Sequence, residues 1–229
     1  LSLPSSRACS HTHLFRAGGE RRILFHYIFQ TNSAMIHELL FALAGNTGDV
    51  IVQVNGDESD SLGAKSFVHG TFKVSPTVSF VSASERVAIN RLVHAGYLYG
   101  WIQEALQRHH FNRSLYIRAL SRGIDELLGD YLKLLRGLEV QIFEHPGEVT
   151  VAHLQSRVRS FTAVFPVVCT IIETIETRNL IGGKILNLLH EHACTGMPVI
   201  KERVTALANR VLQVFYGQLA SWVSHGILL

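Results

Sequence analysis

The densest group of side chains able to do chemistry in this 229-residue chain is His190-Glu191-His192 with Cys194. Imidazole and thiolate are zinc ligands, and a structural zinc site gathers four of them in a tetrahedron. On a helix, His190 and Cys194 share a face, whereas His192 points about 200° away from His190. No other Cys–His pair stands at finger spacing, so the group reads as a surface histidine beside an inert, buried thiol. No metal and no cofactor are expected. Glu173 and Glu176 fall on one helix face and imitate an acid–base pair. Such catalysis needs a second group delivered by another element, so these two read as a solvated polar edge. Ile181-Gly182-Gly183-Lys184 looks at first like a phosphate loop. That loop requires a preceding strand, a longer glycine turn and Ser or Thr after the lysine, and here Ile185 follows. His109-His110 suits a helix end, where polar side chains meet free carbonyls. No nucleophile elbow, GxGxxG or HExxH is present. The expectation is a protein that is not an enzyme.

Composition narrows the partners. Charged residues make up 17% and hydrophobic residues 47%, against roughly 25% charged in an average soluble domain. Such a chain folds, and its surface is apolar enough to suggest an interface. Arg7, Arg16, Arg21 and Arg22 against Glu20 account for the whole net charge of +3, which leaves residues 35–229 balanced. Nucleic acid is therefore not an expected partner, because it demands clustered, uncompensated cations. Cys9, Cys169 and Cys194 form no disulfide framework and fit a reducing compartment. The longest apolar run, Ala163 to Ile172, is interrupted by Pro166 and Thr170. It is short of the ~18 residues of a membrane span, so no span is expected.

Residues 1–34 start at Leu1 and mix Ser, His and Arg with little periodicity. They are arginine-bearing and acid-poor, as a mitochondrial presequence is, but read here as a leader upstream of Met35 and outside the fold.

From Met35 the pattern turns helical. Ile36, Leu39, Leu40 and Leu43 recur at helical spacing, and Gly45 closes them. Residues 46–80 predict a small ribbon, with Val50–Val54 pairing Thr71–Val74 around the polar loop from Asn55 to Ser61. Two strands alone are marginal, so the ribbon must lie on helices. Ser82 and Glu85 form a capping box. The helix behind it carries Ala88, Leu92, Ala95, Tyr99, Ile102 and Leu106, with Gly96 and Gly100 as a close-packing face. The next stripe is Leu120, Ile124, Leu127, Tyr131, Leu134, Leu138 and Ile142, with Arg122 and Glu126 paired on the other side, and His145-Pro146-Gly147 ends it. Thr150 caps a third helix, which Pro166 kinks or breaks. A short helix spans Ile185 to His192, and Pro198 opens the last. Its stripe is Ile200, Val204, Leu207, Val211, Phe215, Leu219 and Trp222. The fold class is all-α, as antiparallel helical bundles stacked end to end with a small β-ribbon near residues 46–80. Leu127, Leu134, Val158, Phe161, Leu207, Val211 and Phe215 are expected to converge in the core.

Three segments carry a family resemblance. MIHELLFALAG at residues 35–45 resembles the start of the gamma-tubulin complex component family, also known as the spindle pole body component family. The block from Ser114 to Leu120, continuing to Leu138-Glu139, is similar to that family's second conserved helix, with Tyr116, Arg118 and Leu120 at motif positions. LASWVSHGILL at residues 219–229 looks like the close of its N-terminal domain, with Leu219, Trp222 and Gly226 at motif positions. Phe165-Pro166, Ile185 to Cys194 and the Pro198 helix fall between them in the expected order. The resemblance covers residues 35–229, and the stretch 46–80 departs from the family pattern.

The resemblance implies a structural subunit of the gamma-tubulin ring, whose N-terminal bundles pack laterally against other gamma-tubulin complex components. It places the chain in the cytoplasm, at microtubule-organising centres such as the centrosome and spindle pole. By the resemblance, the family's C-terminal half, which binds gamma-tubulin, is expected to be absent from a chain that stops at Leu229, so that gamma-tubulin is reached only through that missing half or indirectly. Candidate polar contributors to lateral contact are Arg157, Arg159, Arg178, Lys184, Lys201 and Arg203. The competing readings are an unrelated helical adaptor and a ligand- or metal-binding bundle. The first would show a regular repeat of roughly 34–47 residues, and none is found. The second has only His190 and Cys194 to offer as inward ligands.

Overall fold

Ser82 sets the frame of the molecule. Its hydroxyl accepts from the Glu85 amide while the Glu85 carboxylate accepts from the Ser82 amide, so two orphan donors are satisfied at once. The structure, a computed structural model, describes residues 35–55, 70–78, 81–108, 114–145 and 148–226. The leader 1–34, the ribbon's polar loop beyond Asn55, His109-His110, Pro146-Gly147 and Ile227–Leu229 lie outside the described residues.

Residues 35–43 form α1. Strands β1 (Ile51–Asn55) and β2 (Gly70–Val74) pair antiparallel, with Ile51 opposite Val74 and Gln53 opposite Phe72. Helices α2 (Ala83–Gln107), α3 (Leu115–Glu144), α4 (Val151–Arg178), α5 (Gly183–Ala193) and α6 (Pro198–His225) follow. The fold is all-α with one small ribbon, as the periodicity predicts.

Side-chain bridges fix how the helices run. Gln155 of α4 donates to the Ala88 carbonyl of α2, and Arg108 of α2 meets Glu176 of α4 at 3.4 Å, so these two helices run parallel. Tyr116, Glu126 and Asp130 of α3 meet Gln218, Arg210 and Arg203 of α6 in that order, so this pair is antiparallel. Glu126 thus takes Arg210, across the helix pair, rather than the Arg122 expected on its own helix.

Tyr131 joins four helices. It is wholly buried, its hydroxyl donates to the Leu43 carbonyl at 2.9 Å, and its ring lies 5.0–5.4 Å from those of Tyr99, Phe161 and Phe165. Burial pushes its phenol far above the ordinary tyrosine range. The Gly96–Gly100 face is a close seam, as its spacing predicts. A Cβ on Gly96 would stand 2.0 Å from the Ala42 carbonyl oxygen, so only glycine lets α1 approach there.

Three expectations are corrected. Phe215 is 42% exposed rather than in the core, on the stretch of α6 that lies beside the first turn of α3, where Tyr116 meets Gln218. Leu134 is only partly buried, and Leu135 takes the core position. A stripe at 3.6 residues per turn drifts, and here it steps from Tyr131 to Leu135 and then Leu138. Pro166 does not break α4, which continues from Val151 to Arg178. Its ring sits on the exposed side, and only the bond to the Thr162 carbonyl is forfeited. Over an 18-residue window α4 reaches a mean hydropathy of 1.5, long and apolar enough by composition to cross a membrane. The expectation of no span rested on uninterrupted runs, which Pro166 and Thr170 cut short. In the fold α4 is a central core helix, with Leu154, Val158, Phe165, Val168 and Ile172 fully buried.

Candidate functional site

The six candidate cations come from three helices. Arg157 and Arg159 stand exposed on the first half of α4. Arg178 ends that helix, where its charge suits the free carbonyls, just before left-handed Asn179 at φ 45°. Lys184 lies in the first turn of α5 and Lys201 in the first turn of α6, both exposed. Arg203 differs from the other five. Its guanidinium reaches Asp130 at 3.6 Å and covers the Phe161 ring at 5.8 Å, so it straps α6 onto α3 and α4. Among the described residues none of the other five meets a carboxylate.

The motif positions divide in the same way. Leu120 is fully buried, and Tyr116 donates to the Gln218 side chain at 2.7 Å, fastening the start of α3 to α6. Arg118 is exposed. Gly226 takes φ 68° as the left-handed cap of α6. Leu219 and Trp222 lie on the part of α6 that extends past Tyr116, 42% and 53% exposed, next to Phe215, Tyr216 and the 74%-exposed Val223. From Val211 to Gly226 the sequence has no Asp, Glu, Lys or Arg. The result is an uncharged, aromatic-rich helical face that stays largely exposed.

The groups that looked chemical do not converge. His190 Nε2 stands 3.8 Å from the Cys194 sulfur, so the shared face is real, but Cys194 is exposed rather than buried. It caps the C-terminal end of α5, past the last buried leucines. Among the described residues no three His, Cys, Asp or Glu side chains gather as a metal site. Glu176 is tied to Arg108 and only a quarter exposed, so it belongs to an interhelical bridge, not to a solvated edge. Glu173 is half-buried. The buried thiol is Cys169; burial, and then the Glu173 charge, push its pKa far up, which leaves it unreactive.

Periodicity did not foresee how the ribbon is held. Arg86, Asn90 and His94 stand four residues apart on α2. Arg86 donates to the Ser75 and Val78 carbonyls at 3.0 and 2.6 Å, Asn90 accepts from the Val74 amide at 2.9 Å, and His94 Nδ1 lies 3.0 Å from the Thr71 hydroxyl. Burial holds the His94 pKa below the usual histidine value. The signal was a polar residue at every fourth position opposite the apolar stripe, which reads equally well as solvated surface.

Comparison with known proteins fits this architecture. The family description "Gamma tubulin complex component N-terminal" matches residues 36–229. The chain is 32% identical over 210 residues to the gamma-tubulin complex component 4 homolog of Medicago truncatula, covering 85% of this chain and 28% of that protein. It is 30% identical over 226 residues to gamma-tubulin complex component 4 of Arabidopsis thaliana, and 28% identical over 213 residues to that of Homo sapiens. Each of these covers 85% of this chain and 30% of the relative. The chain thus spans less than a third of the length of these curated relatives. With the matched region running through every described helix, the chain belongs to the gamma-tubulin complex component family, in its N-terminal domain.

Proposed function

We propose that this chain is a lateral building unit of the gamma-tubulin complex, packing beside other gamma-tubulin complex components so that the assembly templates microtubule nucleation. The match of residues 36–229 to the family's N-terminal domain carries this reading. The surface supports it. Specific protein interfaces bury ~1,200–2,000 Å² in total, and need area and complementary charge rather than a deep cleft. Helices of 25 to 30 residues offer such area, with the uncharged face of α6 and the exposed Arg157, Arg159, Arg178, Lys184 and Lys201 as contributors. The role requires no catalysis and no cofactor. It places the protein in the cytoplasm at microtubule-organising centres, the centrosome and spindle pole. Gamma-tubulin itself is held by other parts of the assembly and meets this segment only indirectly.

The test is capture. The purified chain should retain another gamma-tubulin complex component from a mixture of recombinant components and compete for it with a full-length relative. Retention of gamma-tubulin alone, with no other component present, would put its binding site in this segment and overturn the division of labour.

A further inference from the structure

Between α2 and α4 runs a groove of about 550 Å³. Arg91 and Arg159 stand on it from opposite helices, Leu92 and Ala163 give it an apolar floor, and Ser156 and Thr162 add hydroxyls. Gln155, whose amide donates to the Ala88 carbonyl, holds the helices together at this level. The two arginines are exposed, and among the described residues neither meets a carboxylate. Two other arginines of α2 behave differently. Arg86 is spent on two backbone carbonyls and Arg108 on Glu104 and Glu176. None of the residues lining the groove is acidic.

We propose that this groove is a docking site for a short acidic peptide segment, in which two carboxylates engage Arg91 and Arg159 while an apolar side chain between them rests on Leu92 and Ala163. The guanidinium fork matches a carboxylate in two parallel hydrogen bonds, and two such forks across an apolar floor select a spacing as well as a charge. The volume is that of a small binding pocket, enough for a few side chains. Two cations on a charge-balanced body are too few for a nucleic-acid track. The site does not depend on which assembly the chain joins, so it stands or falls separately from the lateral role.

A displayed library of random octapeptides, panned against the whole chain, is the test. Recovered peptides should carry paired Asp or Glu around an apolar residue, and their binding should weaken as sodium chloride is raised. Arg91→Ala and Arg159→Ala should each weaken a recovered peptide about tenfold, the size of one lost charged hydrogen bond. Arg136→Ala, on α3, should leave it unchanged, and thermal melting should confirm that all three variants fold. Recovery of no peptide that needs both arginines would overturn the proposal. So would tighter binding of a phosphoserine version than of its glutamate counterpart, or displacement of the peptide by a single-stranded oligonucleotide, either of which assigns the groove to another ligand class.

Discussion

The two halves of α6 carry the same apolar spacing and meet opposite fates. Ile200, Val204, Leu207 and Val211 are buried against the bundle, while Phe215, Leu219 and Trp222, next on the same stripe, are 42–53% exposed. The apolar spacing is the same on both sides of the boundary, while the charged residues and the cover stop there. The bridges from α3 to α6 run from Asp130–Arg203 through Glu126–Arg210 to Tyr116–Gln218, and α3 begins at Leu115, one residue before Tyr116. A periodic stripe therefore specifies which face of a helix wants cover, and leaves open what supplies it.

Substitutions can break or sharpen this contrast. Phe161→Ala, beneath Arg203 and beside Tyr131, should cost roughly 3–5 kcal/mol in chemical unfolding, as lost transfer energy and a residual cavity add together. Leu207→Ala, in the covered half of α6, should cost about 2–4 kcal/mol. Phe215→Ala or Trp222→Ala, in the open half, should cost less than about 1 kcal/mol in the chain alone. The same two variants should reduce capture of a partner component far more than they reduce stability. A loss of several kcal/mol at Phe215 would mean that the open half is covered after all, and the contrast would fail. The smallest effect is expected at Gly217. A Cβ there meets nothing within 4 Å, so Gly217→Ala should raise stability by roughly 0.5–1 kcal/mol, read as a higher denaturant midpoint.

Legibility follows the range of the interaction. The capping box at Ser82, the Thr150 cap, Pro198 at the head of α6, both strands and the glycine seam at Gly96 were all readable. Each depends on a few adjacent residues or on a residue type with a single physical use. Contacts decided by elements distant in sequence were not readable. Glu126 had a plausible partner four residues back and took Arg210 instead. Leu134 and Leu135 are equivalent by composition, and only the axis of the packed neighbour separates them. Cys194 resembles a buried thiol until the end of α5 is placed at the surface. Among the functional candidates, Arg203 and Arg159 look alike in sequence, and only the fold shows one committed to Asp130 and the other left over a groove.

The ribbon's attachment to α2 bears on how freely the protein can vary. Arg86 and Asn90 grip it through the carbonyls of Ser75 and Val78 and the amide of Val74, atoms that nearly every amino acid supplies. Apart from Thr71, whose hydroxyl meets His94, an exposed ribbon side chain such as Lys73 can therefore drift among lineages without loosening it. The constraint is displaced onto two polar positions of a helix that, by hydropathy alone, look expendable. A mutational scan should find Arg86 and Asn90 intolerant and exposed Lys73 permissive, so that the least variable part of the ribbon is not in the ribbon.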